Sequence, residues 1–234
     1  MAAKFKIKNL AFRRLGQNPI LTADEDSENN RKADDIYDLL RQSMLRAHPW
    51  SFAKVEAELT ALTGALGTPV LSDFIYIYKL PADFLRLNKT SVEPTYPHKI
   101  KGRYLYSNAD AVSIEYGYDC KDPDAWVTGT TYAVGDYVLQ NNTIYYCITA
   151  HTAGTFASDL AANWSEENIY DAAFTDAFAT NLAYDLCMPI TKDAKLKEVL
   201  GNELIKKLNY AKSMNGQEVS VDAPSQNQSW PTFR

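Results

Sequence analysis

Apolar residues recur every three or four positions in four stretches of the chain, the spacing that places them on one face of an α-helix. The predicted helices span about residues 3–15, 27–47, 170–189 and 191–216. Ser27 or Asp26 can cap the second helix and Thr191 the fourth, because their side-chain oxygens accept from free backbone N–H groups. Gly16 and Pro189 end the first and third helices.

Between the second and third helices, aromatic and β-branched residues alternate with polar ones, as in strands. The predicted strands are 74–80, 84–88, 101–106 and 111–118. They predict a small antiparallel sheet, whereas the chain from Trp50 to Gly67 is predicted to stay helical or irregular. The fold class is therefore α+β, with a four-helix bundle, a small antiparallel sheet and an inserted small β domain.

The second helix ends in a run of large aromatic residues. Pro49 cannot continue a helix, so His48 and Pro49 fix its end and Trp50 and Phe52 begin an extended segment. We expect both aromatic rings to be buried where the helices meet the sheet, with His48 in a structural role.

Residues 122–167 differ in composition, with many Thr and Asn and regularly placed aromatics. They predict a separate β unit inserted into a discontinuous domain formed by residues 1–121 and 168–216, since closing such a loop costs little. The polar segment 217–234 has no periodicity and predicts an extended C-terminal tail.

The net charge of −5 and pI near 5.3 disfavour a nucleic-acid binder, which needs Lys and Arg to neutralise phosphates. Cys120, Cys147 and Cys187 show no metal-ligand spacing. No apolar run reaches the length of about 18 residues that predicts a membrane span. We therefore expect a soluble protein made in the cytoplasm, without metal or cofactor.

No catalytic motif is present in the sequence, and we predict that the chain is not an enzyme. His48, His98 and His151 are isolated and are expected to be structural. Asp122 and Asp124 could form a carboxylate pair, but their position beside a proline favours turn formation.

The inserted segment carries a series of landmarks. They are Trp126, Tyr132, Gly135, Asp136, Val138, Tyr145 and Trp164. Their order resembles the chitin-binding-type carbohydrate-binding modules, in which aromatic faces stack on sugars. The exposed aromatic pair of that family falls here on Ile148 and Thr149.

Two interpretations of these aromatics follow: they form the core of a small domain, or some of them contact a glycan or a protein. The candidate contact residues are Tyr146, Trp126, Tyr132 and Trp164. Tyr146 is favoured for contact because strand alternation turns it away from the motif tyrosine.

An ordered set of segments outside the insert carries a second resemblance. These segments are 10–16, 19–20, 24–28, 37–38, 45–46, 48–53, 80–86 and 116–123. Together they resemble the tail tubular protein A family, the head-to-tail adaptors of short-tailed bacteriophages.

The resemblance implies a virion protein, assembled in the host cytoplasm as a ring of usually twelve copies between the portal protein and the tail nozzle protein. DNA would pass through an acidic lumen that does not hold it. The aromatic tail residues are predicted to dock on the portal: Trp230, Pro231, Phe233 and Arg234. The insert would lie outside the ring and contact tail fibres, the nozzle or surface glycans.

Two alternatives remain: a carbohydrate-binding tail protein and a polysaccharide-degrading tail enzyme. The first predicts retention on chitin or host polysaccharide, and the second predicts release of reducing ends. The adaptor predicts neither.

Overall fold

The computed structural model describes residues 3–22, 25–63, 73–92 and 95–218. Its helices are α1 Ala3–Arg14, α2 Glu28–Ala47, α3 Phe156–Asn163, α4 Ala172–Thr191 and α5 Ala194–Glu218. Its first six strands are β1 Lys54–Leu59, β2 Tyr76–Lys79, β3 Phe84–Thr90, β4 His98–Lys101, β5 Tyr104–Ser107 and β6 Val112–Tyr118. The other five are β7 Thr131–Tyr132, β8 Tyr137–Gln140, β9 Thr143–Cys147, β10 His151–Thr152 and β11 Trp164–Glu166. The predicted α+β class is confirmed.

Helix α4 lies at the centre of the helical layer and packs against α1, α2 and α5. Its apolar residues occur on nearly all sides, which is typical of a helix surrounded by other elements. Phe174, Phe178 and Leu182 are fully buried in the main core cluster. Helix α2 begins as predicted, because the Ser27 hydroxyl accepts a hydrogen bond from the Asn30 N–H at 3.3 Å.

Two carboxylates tie the helices together. Asp34 on α2 pairs with Lys8 of α1, whose side chain is almost completely buried, at 3.1 Å. Asp176 on α4 pairs with Arg14 of α1 and, at 2.8 Å, with Lys207 of α5. Burial raises the pKa of Asp176, but the hydrogen bonds and charges of these two cations outweigh it and lower the pKa overall.

The strands before the insert form two three-stranded antiparallel sheets, ordered β1-β6-β3 and β2-β5-β4. A second core cluster lies between them and includes Tyr78, Leu105 and Ile114. The buried Tyr78 hydroxyl donates to the Ala109 carbonyl at 2.6 Å. The sheets therefore have a core of their own, beside the helical one.

The predicted extent of several strands is wrong. Residues 54–59 form β1 instead of a helical or irregular segment, because they pair along their whole length with β6, from Lys54↔Gly117 to Leu59↔Val112. The predicted strand 101–106 contains a turn at residues 102–103, where Gly102 has φ +59°. It thus belongs to two strands, β4 and β5.

Three predicted helix boundaries are also wrong. Pro189 lies inside α4, near its C-terminal end, where Lys192 in the left-handed region with φ +56° ends the helix. Thr191 is the last residue of α4, and Asp193 caps α5 by accepting from the Leu196 N–H at 3.0 Å. Helix α5 continues past Gly216 to Glu218.

The corner after α2 agrees with the prediction at Trp50, which is buried, but not at Phe52, which is half-buried and lies in the 3₁₀ turn Ser51–Ala53 instead of an extended segment. Trp50 is buried in the helical core, and Phe52 packs against it. The buried side chain of Asn215 on α5 holds the corner, accepting from the Ser51 N–H at 2.6 Å and lying 3.1 Å from His48 Nε2. Burial, aided by nearby cations, lowers the pKa of His48.

Within the described ranges, none of the helices combines the length and apolar character that a membrane span needs. The predicted portal-docking residues Trp230, Pro231, Phe233 and Arg234 lie outside the described residues.

Candidate functional site

The inserted module, residues 122–167, has its own core. Its strands form the sheet β8-β9-β11 and the two-stranded ribbon β7-β10. Helix α3, which was not predicted from the sequence, ends immediately before β11 begins. The core cluster consists of Tyr132, Val138, Cys147, Ala153 and Trp164, with Trp126, Tyr145 and Phe156 packed against it.

The Gly-Asp pair of the module shapes the turn before β8. Gly135 has φ +103°, which residues with a Cβ rarely adopt. The Asp136 carboxylate accepts from the Ala133 N–H at 2.7 Å and closes this turn. The Gly135 N–H donates to the Cys147 carbonyl at 3.0 Å, which attaches the turn to the end of β9. These contacts fix the positions of Gly135 and Asp136 between β7 and β8.

Three of the four predicted contact residues of the module lie in its core. Trp164 and Tyr132 are buried, and Trp126 is half-buried. The Tyr132 hydroxyl accepts from the Val127 N–H at 2.9 Å. Ile148 and Thr149, where the sequence resemblance places an aromatic pair, are exposed. Neither of these two side chains offers a ring for stacking.

The fourth candidate, Tyr146, points to the opposite face of β9, as strand alternation predicts. That face is turned toward the helices, since Ile144, two residues earlier, is fully buried in the helical core cluster. Leu139 packs against the same cluster, and the Glu167 N–H donates to the Ile144 carbonyl at 3.0 Å. The module is therefore docked on the helical layer through this face.

Tyr146 makes an edge-to-face contact with Tyr137 of β8, with ring centroids 5.2 Å apart. Tyr137 lies at a groove of about 370 Å³ between the module and the rest of the chain. The groove is lined by Phe52, Tyr118, Cys120, Lys121, Pro123, Tyr137, Glu167, Asn168 and Ile169. It thus joins the corner after α2, the end of β6 and both connections of the module.

The walls of this groove are held in place by hydrogen bonds at Cys120. The Cys120 carbonyl accepts from the Arg41 guanidinium at 2.9 Å and from the Tyr170 hydroxyl at 2.5 Å. Burial raises the pKa of the Cys120 thiol to about 11, although Tyr118 and Arg41 partly oppose this. The thiol is therefore protonated near neutral pH and is a weak nucleophile.

The two tyrosines of the groove are uncharged as well. Burial and the nearby Cys120 raise the pKa of Tyr118, and burial with the charge of Glu167 raises that of Tyr137. Near neutral pH, the charged side chains that line the groove are thus one cation, Lys121, and one anion, Glu167.

Tyr137 is not among the site residues predicted from the sequence. A signal was available, because Tyr137 precedes the core residue Val138 and must point away from the module core by strand alternation. Its neighbours in the groove could not be found in this way, since Phe52 and Asn168 are distant in sequence.

The predicted carboxylate pair and the three histidines do not line this groove. Asp122 accepts from the Lys4 N–H at 3.1 Å, and the Asp124 carbonyl accepts from the Leu139 N–H at 2.9 Å. His151 Nδ1 donates to the Thr149 carbonyl at 2.9 Å. In the part of the chain that the structure describes, no group of three or more His, Cys, Asp or Glu residues is placed to hold a metal ion.

In a comparison with known protein families, residues 125–168 match carbohydrate-binding module family 5/12. The match confirms the prediction of a carbohydrate-binding-module-like segment inside the chain. No curated protein matches the chain.

Proposed function

We propose that the chain is a structural subunit of a ring-shaped head-to-tail adaptor of a short-tailed bacteriophage. The ring would lie between the portal protein and the tail nozzle protein, and DNA would pass through its lumen. The ordered motifs outside the insert support this proposal. The structural observation that carries it is the exposure of apolar side chains on both flanks of α5.

Val199 and Tyr210 are eleven residues apart, about three helical turns, and therefore share one flank of α5. Both side chains are largely exposed, at 60% and 61%. Met214 follows one turn later and, with Tyr210, lines a groove of about 380 Å³ against the start of α4. Ile205, equally exposed, lies on the other flank.

Large exposed apolar side chains occur at surfaces that bind other proteins, and on this flank they alternate with the charged residues Glu203 and Lys206. A ring closed by head-to-tail contacts uses two different surfaces of each subunit, one on each side. The two flanks of α5 suit such contacts. The net charge of −5 per subunit suits a lumen that repels the DNA backbone.

We predict that the double variant Val199→Glu, Tyr210→Glu loses ring assembly. Two carboxylates would have to leave water in the contact, so association should weaken at least about tenfold. The measurement is negative-stain imaging and light scattering of the chain mixed with portal protein, because free subunits of this family can be monomeric.

The matched control is Val127→Glu, which introduces a carboxylate at an exposed apolar residue of the module, outside the proposed contact. It should form rings like the unmodified chain. Rings formed by the double variant would refute the role of α5, and failure of the unmodified chain to form rings with portal protein would refute the adaptor.

We propose a second function for the inserted module, the binding of carbohydrate. The observation that favours it is the match of residues 125–168 to carbohydrate-binding module family 5/12. This function is compatible with the first, since a module on the outside of the ring can contact surface glycans.

The second proposal predicts that the full chain is retarded in affinity electrophoresis through gels containing soluble chitin or host-cell polysaccharide. Trp164→Ala should abolish the retardation, because it removes the largest side chain of the module core. The Val199→Glu, Tyr210→Glu variant should be retarded normally. Migration of the unmodified chain at the same rate with and without every polysaccharide would contradict carbohydrate binding.

A further inference from the structure

We infer that the groove between the corner after α2 and the inserted module holds one pyranose ring of a neutral glycan. This inference rests on the proposed carbohydrate binding and assigns it to a specific site. The groove is not on the side of the module where related modules carry their exposed aromatics. It is formed partly by residues that do not belong to the module.

Aromatic surface for stacking is present in this groove. Tyr137, which is 45% exposed, is the one exposed aromatic residue of the fully described segment 122–167. Its ring is braced by the edge-to-face contact with Tyr146. Because the axial C–H groups of a pyranose are apolar, a sugar face packs well on a ring held in this way.

A second aromatic residue of the groove, Phe52, is also held in place. Phe52 makes edge-to-face contacts with Tyr170 and Phe174, at centroid distances of 5.6 and 5.0 Å. Both partners belong to the main helical core. A ligand therefore meets preformed aromatic residues, which reduces the entropy lost on binding.

Hydrogen-bonding groups accompany the aromatic ones. Lys121 donates, Glu167 accepts and the Asn168 amide does both, and all three side chains are exposed. Their charges cancel, so the groove favours neutral hydroxyl groups over a phosphate or a uronic acid. A few polar groups among aromatic rings are typical of small-molecule sites.

The size of the groove limits the ligand. Its volume of about 370 Å³ lies near the lower end of the range of about 300–1,000 Å³ for ligand pockets. This space is sufficient for a sugar ring with its substituents. The remainder of a glycan would extend into solvent past the exposed side of Tyr137.

The test is isothermal titration calorimetry of the full chain with two probes, chitotetraose and cellotetraose. Tyr137→Ala removes the stacking ring, and Asn168→Ala removes an exposed amide on a different segment. Each should weaken binding of the probe about tenfold. Ile148→Ala is the matched control, because Ile148 is 46% exposed on the module surface that related modules use.

The outcomes distinguish binding in the groove from carbohydrate binding elsewhere on the module. Weakened binding in both groove variants with unchanged binding in Ile148→Ala supports the groove. Unchanged binding in Tyr137→Ala and Asn168→Ala refutes the groove but leaves carbohydrate binding by the module intact. Absence of binding of both probes and of any polysaccharide in the gel assay refutes both proposals. Circular dichroism checks that each variant is folded.

Discussion

Replacement of Trp50 by alanine should lower the free energy of unfolding by about 3–5 kcal/mol and prevent the proposed assembly with portal protein. Trp50 is almost completely buried, and its ring packs edge-to-face against Phe174 at 4.9 Å. Its indole N–H donates to the Met44 carbonyl at 2.9 Å. This carbonyl lies in the last turn of α2, where no helical N–H is available to it.

Urea denaturation followed by circular dichroism measures the loss. Trp50→Phe retains a ring but not the hydrogen bond, and should cost about 1–3 kcal/mol. Tyr210→Ala, at an exposed aromatic residue, should change stability by less than about 0.5 kcal/mol. A Trp50→Ala protein that is soluble, assembles and unfolds at the same urea concentration would contradict the structural role of the corner.

Replacement of Asp119 by alanine should destabilise the chain by about 3 kcal/mol, because it leaves a buried charge without its main partner. The Arg41 side chain is only 3% exposed and forms an ion pair with Asp119, which is itself mostly buried. Arg41 also donates to the Cys120 carbonyl and so connects α2 to the segment that enters the module.

The matched control removes the other carboxylate of the same arginine. Asp38 lies 3.1 Å from Arg41, but its side chain is 66% exposed. Since exposed ion pairs contribute little, Asp38→Ala should cost less than about 1 kcal/mol. Thermal unfolding of both variants compares the two effects directly. Equal losses would show that burial of the pair does not determine its contribution.

Local features of the sequence predicted local structure well. Helices α1 and α2 lie close to their predicted limits, because apolar spacing and capping act within a few residues. Pro49 ended α2 as expected, whereas Pro189 did not end α4. Pro189 cannot donate the helical hydrogen bond to the Asp185 carbonyl, and the packing of α4 against three other helices offsets this loss.

Strand β1 shows where local reasoning fails. Its residues, Lys54 to Leu59, carry three charged side chains and few β-branched ones, so propensity does not favour a strand. Pairing with β6, more than fifty residues later, determines its conformation. The short helix α3 was not predicted either. None of its side chains is buried, so the helix has no apolar stripe facing a core.

Residues close together in the chain were sufficient to predict the main helices, the buried position of Trp50 and the carbohydrate-binding-module-like segment. Apolar spacing and capping act over a few positions, so a single segment carries these signals. The docking of the module through Ile144, and the groove that Tyr137 and Phe52 both line, could be found only from the folded chain. Such a groove exists only where distant segments pack together, and no periodicity or spacing in one segment encodes the surface of another.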